Sequence, residues 1–380
     1  MNILIFTEYF PTSEREGITG GVESRGIHLL KELARRHTIT VICSHQKKQP
    51  RLSRVAGINV IRVGFTNPYS NTGNILTRLS YAGAAFFTGL FIPKVQVVEG
   101  FSYLTYPVAA IVAACRGKPA IATYHESWTF KEWRKLKGWF TGTLGAIWTK
   151  FALLLPFKRY IAVSHSTKEQ LVRRGVPARK IDVIYNGVDL ELMRGISVRQ
   201  MKEPSVSTSV RLIKSKRADT LIRAVAEAKK QFPDIILTIQ GVGEEQEALE
   251  LLVKKLKLEK NVTFKGRLSK FEDVLRLRKR HRVFCLPSEV EGFGMVVAEA
   301  MALGLPVVCT DLPVLREVTD NKGSLFFPKR DHKELASQLV KLLADKELYA
   351  QKQKEALRRA KDFDWRILAR NVERTYRKVA

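Results

Sequence analysis

Short runs of β-branched and apolar residues alternate with helix-length amphipathic segments along nearly the whole chain. In the first half the predicted strands are Asn2–Phe6, Thr38–Ile42, Asn59–Val63, Val95–Glu99, Ala120–Thr123 and Tyr160–Val163. Amphipathic segments such as Val22–Arg35 and Lys168–Arg174 lie between them. Strands that alternate with helices predict parallel βαβ units and a doubly wound sheet with helices on both faces.

A turn signal at Asn186-Gly187-Val188-Asp189 and a polar stretch that ends at Ser209 interrupt this alternation. The pattern then resumes, with predicted strands at Val210–Ile213, Ile235–Ile239, Val262–Phe264, Val283–Leu286, Pro306–Val308 and Ser324–Phe326. A chain of 380 residues is long enough for two domains that each bury a core. We therefore predict two doubly wound α/β domains, over residues 1–187 and 188–362.

The chain is strongly basic, with 65 Lys and Arg against 37 Asp and Glu and a formal net charge of +28. Much of this surplus lies in residues 51–180, which carry 19 Lys and Arg but only four Asp and Glu. Such a surplus indicates a polyanionic partner: nucleic acid, an anionic membrane surface or a phosphorylated substrate. A hydrophobic content of 45% and only 14 Pro exclude a disordered or collagen-like chain.

Tryptophan is concentrated in one part of the basic stretch. Four of the five tryptophans, Trp128, Trp133, Trp139 and Trp148, lie beside Lys131, Arg134, Lys135, Lys137 and Lys150. Apolar side chains recur there at intervals of three or four residues: Trp133, Leu136, Phe140, Leu144, Trp148, Phe151 and Leu155. Aromatic residues with basic flanks are typical of a bilayer interface, so residues 128–159 are a candidate contact with an anionic membrane. A helix face packed onto the sheet predicts the same spacing.

The cysteines and the apolar segments indicate in which cellular compartment the protein lies. The four cysteines (Cys43, Cys115, Cys285 and Cys309) are far apart and lack metal-ligand spacing, so we interpret them as buried thiols. The longest apolar runs, at 81–93 and 152–157, are too short to span a bilayer. Residues 1–6 predict a strand and not a signal peptide. We expect a cytoplasmic protein whose membrane contact, if it has one, is peripheral.

Candidate site residues follow predicted strands, because doubly wound sheets bind ligands beyond the carboxyl ends of their strands. Gly20 and Gly21 open a helix after the first strand, where backbone N–H groups can approach an anion. His125 directly follows a strand, and its ring N–H can donate to a substrate hydroxyl. Each has a plain structural alternative, since glycines serve turns and a lone histidine is commonly structural.

The second domain offers two cations and two carboxylates. Arg211 and Lys216 lie between a strand end and the predicted helix 218–230, where they can clamp a diphosphate or simply be solvated. A buried strand over Val283–Leu286 leads into a loop with Glu291 and then a small, apolar helix that carries Glu299. A carboxylate on a buried element needs a polar partner, such as a ligand hydroxyl.

The stretch from Pro287 to Gly304 resembles the E-x7-E region of retaining glycosyltransferases of family 4. The resemblance extends along the chain through Gly20-Gly21, Val163-Ser164, Asn186-Gly187-Val188-Asp189 and Gly241-Val242-Gly243. Residues 363–380 resemble the terminal helix that crosses back to the first domain in that family. The resemblance implies the GT-B fold, with two facing Rossmann-like domains and the active site in the cleft between them.

The resemblance also implies roles for individual residues. Glu291 and His125 would act at the reacting sugar, and Glu299 would bind the ribose of the donor. The remaining donor-binding residues implied are Gly20, Gly21, Arg211, Lys216, Gly292, Phe293 and Gly294. The chain departs from the family where Val210 and Arg217 replace the usual glycines that precede the arginine and follow the lysine.

The reaction implied is transfer of a hexosyl group from a nucleotide diphosphate sugar, a UDP- or GDP-sugar, to a hydroxyl with retention of configuration. Fixed cations on the leaving diphosphate can replace a metal ion. The single D-x-D, Asp362-Phe363-Asp364, suits the start of a helix better than a metal site. We therefore expect no metal and no cofactor. The charge and the tryptophans favour a lipid or lipid-linked saccharide as acceptor at the cytoplasmic membrane face, with another saccharide as the alternative.

Two other classes of function remain open. A sugar-nucleotide epimerase or a phosphorylase could use the same fold, because the fold does not fix the reaction. A nucleic-acid-binding protein would explain the charge but not the paired glutamates, and the chain carries no helix-turn-helix, zinc-finger or aromatic RNA-binding signature. We expect no nucleic acid partner.

Overall fold

The computed structural model describes residues 1–14, 20–66, 75–126, 130, 133–134 and 138–380. The chain divides into two compact units. The first unit is Met1–Gly187 together with Trp365–Ala380, and the second unit is Val188–Asp364. The boundary predicted from the Asn186 turn lies at the same peptide bond.

The first unit is built on a sheet that is parallel except at one edge. Its strands are β1 Asn2–Phe6, β2 Thr38–Ser44, β3 Leu52–Val55, β4 Ile58–Val63, β5 Val97–Gly100, β6 Ala120–Tyr124, β7 Arg159–Ala162 and β8 Ile181–Val183. They lie in the order β3-β4-β2-β1-β5-β6-β7-β8, and only β3 runs antiparallel to its neighbour. In register, Leu4 of β1 faces Thr40 of β2 and Val98 of β5. The order reverses at β1, which places β1, β5 and β6 at the point where ligands bind in such sheets.

The helices described in the first unit connect these strands. They are α1 Gly21–Ala34, α2 Ile75–Phe91, α3 Thr105–Cys115, α4 Trp139–Leu154, α5 His165–Val172 and the terminal helix α14 Trp365–Arg377. One core joins Tyr81 of α2, Ala109 of α3 and Ala152 of α4 to the sheet, so these three helices share one face. The terminal helix packs on α1, and the Trp365 ring stacks on His28 at 6.1 Å.

The second unit repeats this architecture with a wholly parallel sheet. Its strands are β9 Ser205–Ser209, β10 Ile236–Gln240, β11 Val262–Gly266, β12 Val283–Leu286, β13 Val307–Thr310 and β14 Ser324–Phe327, in the order β11-β10-β9-β12-β13-β14. Its described helices are α6 Leu190–Gly195, α7 Ala218–Ala228, α8 Gln246–Lys255, α9 Phe271–Arg280, α10 Met295–Ala302, α11 Pro313–Thr319, α12 His332–Ala344 and α13 Lys346–Ala360. The order places β10, β9 and β12 side by side, so the loops after their carboxyl ends meet at one edge.

The structure corrects the strand predicted at Val210–Ile213, because β9 is Ser205–Ser209. All five of its residues are buried, and Val206 pairs with Leu237 on one side and Val283 on the other. Four of its five residues are Ser or Thr and the fifth is Val206, so the apolar run that marks the other central strands is missing. Arg211 therefore lies beyond a strand end, as its candidate role requires.

Two further expectations need correction. Cys115 is exposed, unlike the other three cysteines, because it ends α3 one turn beyond the exposed Ile111. Phe363 and Asp364, predicted to belong to the terminal helix, lie in the second unit. There the Phe363 carbonyl accepts a hydrogen bond from the Val188 N–H at 2.7 Å, and its ring meets Phe293 edge-on at 5.6 Å.

Candidate functional site

Two loops of the second unit lie backbone to backbone beyond β9 and β10. The Leu212 N–H donates to the Val242 carbonyl at 3.0 Å. A Cβ at Gly241 would lie 1.9 Å from the Val210 carbonyl oxygen, and one at Gly243 would lie 2.2 Å from that of Leu212. Only glycine leaves room for this approach. The glycines at 241 and 243 thus bring the two loops together at the edge of the sheet where ligands are expected.

Lys216 and Glu291, predicted to serve one site, are in direct contact. The Lys216 Nζ lies 2.6 Å from the Glu291 Oε1, and both side chains are mostly buried. The backbone supports this contact, since the Glu289 N–H donates to the Ser215 carbonyl at 2.9 Å. The Lys216–Glu291 ion pair and this backbone hydrogen bond therefore both join the loop after β9 to the loop after β12. A cation beside a carboxylate suits a ligand that presents both phosphate and hydroxyl groups.

Arg217 has the left-handed backbone conformation, with a φ of 52°. Glycine adopts this conformation without strain, which accounts for the glycine found at this position in the family. The Arg217 guanidinium is held by Asp219 at 2.8 Å and lies 3.6 Å from Glu289. Glu289 also accepts a hydrogen bond from Arg330. The replacement therefore adds a cation that neighbouring carboxylates already neutralise.

Arg211 differs from Lys216 in its surroundings. Its side chain is exposed, and no ion pair joins it to another of the described residues. It lies two residues beyond β9, between Val210 and Leu212, whose carbonyl oxygens Gly241 and Gly243 approach. An exposed cation at this position is available to a charged ligand.

The segment 292–294 leads from the β12 loop into α10. Gly294 has a φ of 87°, and a Cβ there would lie 2.7 Å from the Leu315 side chain, so glycine is required. Phe293 is buried, and its ring packs against Phe363. This packing fixes the turn that positions the first N–H groups of α10.

Glu299 has a partner that the sequence analysis missed. Its Oε2 accepts a hydrogen bond from the Nη1 of Arg278, and both side chains are buried. The Arg278 Nε also donates to the Ser209 Oγ at 2.9 Å. The buried carboxylate thus has a protein cation beside it, where only a ligand hydroxyl was predicted. The position of Arg278 in an amphipathic helix among Arg and Lys gave no sign of this contact.

Gly20 and Gly21 stand at the start of α1, as predicted. Gly20 caps the helix, and its N–H donates to the Glu23 Oε2 at 3.1 Å. A carboxylate is thus already present at this helix N-terminus, which favours negative charge. A phosphate at Gly20 would have to displace this carboxylate.

His125 directly follows β6, and its Nε2 is enclosed without a partner among the described residues. Burial, together with the nearby Arg25 charge, lowers the pKa of His125 to about 3. The imidazole is therefore neutral near pH 7. It can donate or accept a hydrogen bond, as the sequence analysis predicted, and it carries no positive charge.

Arg25, Glu99 and Tyr376 form a buried polar cluster near His125, and the sequence offered no signal for it. The Arg25 Nη1 donates to the Tyr185 carbonyl at 2.8 Å and to the Asn186 Oδ1 at 3.0 Å. Burial lowers the pKa of Arg25 to about 10, although the Glu99 charge opposes this shift. Burial raises the pKa of Glu99 to about 7, against hydrogen bonds from Thr123 and Tyr376 and the Arg25 charge. These charges lie at the carboxyl ends of β5 and β6.

One face of the first unit exposes large apolar side chains. On α2, Ile75, Leu79, Phe87 and Phe91 recur at multiples of four residues and are exposed, Phe91 by 82%. On α4, the exposed set is Trp139, Leu144, Ile147, Trp148, Phe151 and Leu154. The predicted stripe on α4 thus points outward at Leu144, Trp148 and Phe151, while Ala152 packs on the sheet. Trp128, Lys131, Lys135, Leu136 and Lys137 lie outside the described residues. Exposed apolar side chains grouped on two helices in this way mark an interaction surface.

No described helix combines the length and apolarity needed to cross a bilayer. Within the same described ranges, no three His, Cys, Asp or Glu side chains are grouped as metal ligands are.

The two parallel-sheet units define the GT-B class of fold, and solved structures share it over the whole chain. The Anabaena protein HepE, solved in complex with UDP-glucose, aligns with a TM-score of 0.77 at 20% identity over 100% of both chains. Sucrose-phosphate synthase from Thermosynechococcus elongatus aligns with a TM-score of 0.81 at 20% identity, over 99% of this chain and 98% of that one.

Two family models match consecutive parts of the chain. Glycosyltransferase Family 4 matches residues 19–192, and Glycosyl transferases group 1 matches residues 190–359. The chain therefore belongs to the glycosyltransferases of family 4, and it is a glycosyltransferase. The family and fold expected from the Pro287–Gly304 stretch are confirmed.

Curated relatives share shorter segments. A Haemophilus influenzae protein described as an uncharacterized glycosyltransferase is 34% identical over 37% of this chain and 39% of its own length. A phosphatidyl-myo-inositol mannosyltransferase from Mycobacterium leprae is 33% identical over 43% of this chain and 44% of its own length. The chain thus matches less than half of either relative.

Proposed function

We propose that this glycosyltransferase transfers a hexosyl group from a UDP- or GDP-sugar to a hydroxyl of a lipid or lipid-linked saccharide, with retention of anomeric configuration. The observation that carries the donor part is the Lys216–Glu291 contact at 2.6 Å, which joins the loops after β9 and β12. It provides a cation for a diphosphate beside a carboxylate for sugar hydroxyls. The two family models, which match residues 19–192 and 190–359, support the same assignment.

Donor binding is assigned to the second unit. Lys216 and the exposed Arg211 offset the charge of the diphosphate, Glu299 binds the ribose, and Glu291 binds hydroxyls of the sugar. The N–H groups of residues 292–294 approach the sugar and the phosphates. The amides of Gly20 and Gly21 are secondary donor contacts, because Gly20 would first have to release Glu23.

The reaction breaks the bond between the anomeric carbon and the diphosphate oxygen, and the diphosphate leaves with the electron pair. The acceptor hydroxyl forms the new bond to that carbon on the same face, and its proton passes to the departing diphosphate oxygen. Cations fixed before the reaction stabilise the leaving charge without reorganisation, so no metal is required. The neutral His125 donates a hydrogen bond to the reacting sugar, and no protein nucleophile is assigned.

The acceptor assignment rests on the exposed apolar face of α2 and α4. The exposed cations Lys94, Lys118, Lys150 and Lys158 lie in the same region of the sequence. Among the described residues from 75 to 160, the acidic ones are Glu99, which is buried, and Glu126. Apolar side chains with basic neighbours and few acids suit the surface of an anionic bilayer. The membrane contact predicted for residues 128–159 is thereby extended to α2, and we place it at the cytoplasmic leaflet.

The activities for which two relatives are named fit this acceptor class. One relative is the M. leprae phosphatidyl-myo-inositol mannosyltransferase. Another, from Campylobacter jejuni, is described as acting on a diphospho-undecaprenol-linked saccharide and is 29% identical over 60% of this chain. Both descriptions name acceptors attached to lipid.

The decisive experiment measures nucleotide release from UDP-, GDP- and ADP-sugars in the presence of a chelator, with and without membrane lipid extract. We expect lipid-stimulated release from one donor, lost in Lys216→Ala but kept in Lys214→Ala, which changes an exposed neighbour. NMR of the product should show the anomeric configuration of the donor. Inverted product would refute retention, and activity abolished by the chelator would refute metal independence. Donor turnover without any acceptor would indicate an epimerase, and a requirement for inorganic phosphate would indicate a phosphorylase.

The membrane contact is tested by co-sedimentation with vesicles that contain or lack anionic phospholipid. We expect binding to anionic vesicles that weakens with salt and is lost in Leu79→Ser/Phe87→Ser, which changes two exposed residues of α2. The matched control is Leu251→Ser/Leu357→Ser, since both leucines are exposed in the second unit. Equal binding of both double variants, or no binding to anionic vesicles at low salt, would refute the contact.

A further inference from the structure

We infer that Arg278 is a positioning residue of the donor site, which holds the Glu299 carboxylate in the orientation that the ribose hydroxyls of the donor require. This inference rests on the proposed function, because it takes Glu299 as the ribose ligand.

Arg278 joins three elements around Glu299. It lies in the last turn of α9, donates from Nη1 to the Glu299 Oε2 on α10, and donates from Nε to the Ser209 Oγ at the end of β9. Its side chain is 4% exposed and that of Glu299 is 8% exposed. The guanidinium also lies 5.5 Å from the centroid of the Phe284 ring in β12. Two hydrogen bonds and a ring contact therefore fix its plane.

This geometry leaves part of the carboxylate available. The interaction with Arg278 uses Oε2, and no other described residue donates to Oε1. An ionised carboxylate has about four lone-pair sites, so acceptor positions remain for two neighbouring hydroxyls. The Arg278 contact thus restricts the rotation of the Glu299 side chain and leaves acceptor positions on its carboxylate available.

A buried ion pair at this place needs a reason other than stability. Burial of an ion pair is not an efficient way to stabilise a fold, because a well-packed apolar pair commonly does as well or better. A role in orienting the Glu299 carboxylate explains why the pair is placed here.

The Ser209 contact links the ribose carboxylate to the phosphate side of the site. Ser209 ends β9, and the loop that carries Arg211 and Lys216 begins one residue later. The Arg278 guanidinium therefore fixes the position of α10 relative to the start of that loop. A displaced Arg278 would alter both the ribose and the diphosphate contacts.

The experiment titrates UDP and GDP into the purified full chain by calorimetry. Wild type is compared with Arg278→Met, Arg278→Lys, Glu299→Gln and the Arg278→Met/Glu299→Gln double variant. The matched control is Arg316→Met, which breaks an Arg–Asp pair with a phenylalanine ring beneath the guanidinium in the same unit.

We expect Arg278→Met to weaken binding of the preferred nucleotide about 10-fold, since Glu299 loses the charge-assisted hydrogen bond that orients it. Arg278→Lys should restore part of the affinity. Adding Arg278→Met to Glu299→Gln should cost less than about twofold more, because coupled residues are non-additive. Arg316→Met should bind like wild type.

Several results would overturn the inference. If Arg278→Met binds the nucleotide within twofold of wild type and only its melting temperature is lowered, Arg278 is a structural residue. Full additivity with Glu299→Gln would do the same. Should Arg278→Met not fold, Arg278→Lys decides: binding equal to wild type would show that the planar guanidinium is not needed. Wild-type protein that binds neither nucleotide would instead remove the proposed function, and this inference with it.

Discussion

The phenol of Tyr376 donates a hydrogen bond to the buried carboxylate of Glu99, which lies 277 positions earlier in the chain. Thr123 donates to the other oxygen of the same carboxylate. The terminal helix is therefore tied to the carboxyl end of β5 at a buried charged group.

Replacing Tyr376 by Phe should destabilise the first unit by about 1–3 kcal/mol, because a buried carboxylate oxygen loses its donor. Arg374→Ala, at an exposed position of the same helix, should change stability by less than about 0.5 kcal/mol. Urea unfolding monitored by circular dichroism measures both. Equal stability of Tyr376→Phe and wild type would show that this hydrogen bond contributes nothing net.

Glu99 should make stability depend on pH in a direction opposite to that of ordinary carboxylates. Burial raises the pKa of Glu99 from 4.5 to about 7, so the folded state keeps a proton that the unfolded state has lost between these values. The contribution of Glu99 therefore decreases as pH rises from about 5 to about 8. The stability difference between Glu99→Gln and wild type should shift in favour of the variant over that interval, by no more than about 3 kcal/mol. A difference that stays constant with pH would show that Glu99 does not titrate there.

His125 should act as a neutral hydrogen-bonding group. Burial lowers its pKa to about 3, so the ring carries no charge at physiological pH. We expect His125→Ala to lower kcat by about 100-fold, within the range for a positioned proton donor, and His125→Gln to retain more activity. The profile of kcat/KM against pH should show no inflection from this residue between about pH 5 and pH 8. An inflection near pH 6.5 that His125→Gln removes would mean that the imidazolium is the active form.

Lys216 should be the cation on which donor affinity depends. Lys216→Ala removes the partner of Glu291 and a charge-assisted contact to phosphate, and should weaken nucleotide binding by about 10-fold or more. Lys214→Ala should stay within about twofold, since exposed charges contribute little. Nucleotide titration of both variants gives the comparison. Similar losses in the two would indicate a diffuse electrostatic effect and not a specific contact.

Replacing Arg217, unlike replacing Lys216, should have little effect on nucleotide affinity. Arg217→Gly relieves a left-handed backbone but loses the Asp219 ion pair and gains freedom in the unfolded state, so stability should change by less than about 1 kcal/mol. Nucleotide affinity should change by less than about threefold, because Asp219 and Glu289 already neutralise this guanidinium. A loss as large as that of Lys216→Ala would show that Arg217 contacts the donor directly.

The strand and helix pattern predicts most of the fold, and it fails where a strand is polar or short. β9 was not predicted because Ser205–Ser209 lacks an apolar run. β3 was not predicted because it has only four residues, with Arg54 among them, and these show little alternation of apolar and polar side chains. Local periodicity reports which face of an element is apolar. It does not report that the backbone of a serine-rich strand is buried between two neighbours.

Long-range polar contacts were even less accessible from the sequence. Glu299 was predicted from its unusual place on an apolar helix, but its partner Arg278 looked like one basic residue among several. Arg25 likewise lies in an ordinary amphipathic helix, although its side chain is fully buried. A pairing between distant charges depends on how elements pack, which no local pattern encodes.

The first unit is interrupted in sequence, because residues 188–364 are translated between its sheet and its terminal helix. On the ribosome, Glu99 therefore emerges long before Tyr376, and the second unit can be completed first, since domains generally fold as units during synthesis. Until residues 365–380 emerge, the first unit holds a burial site for Trp365 and Tyr376 that is not yet filled. The first unit thus reaches its final stability only after the second unit has been translated, and chains released before that point should be recognised by proteases.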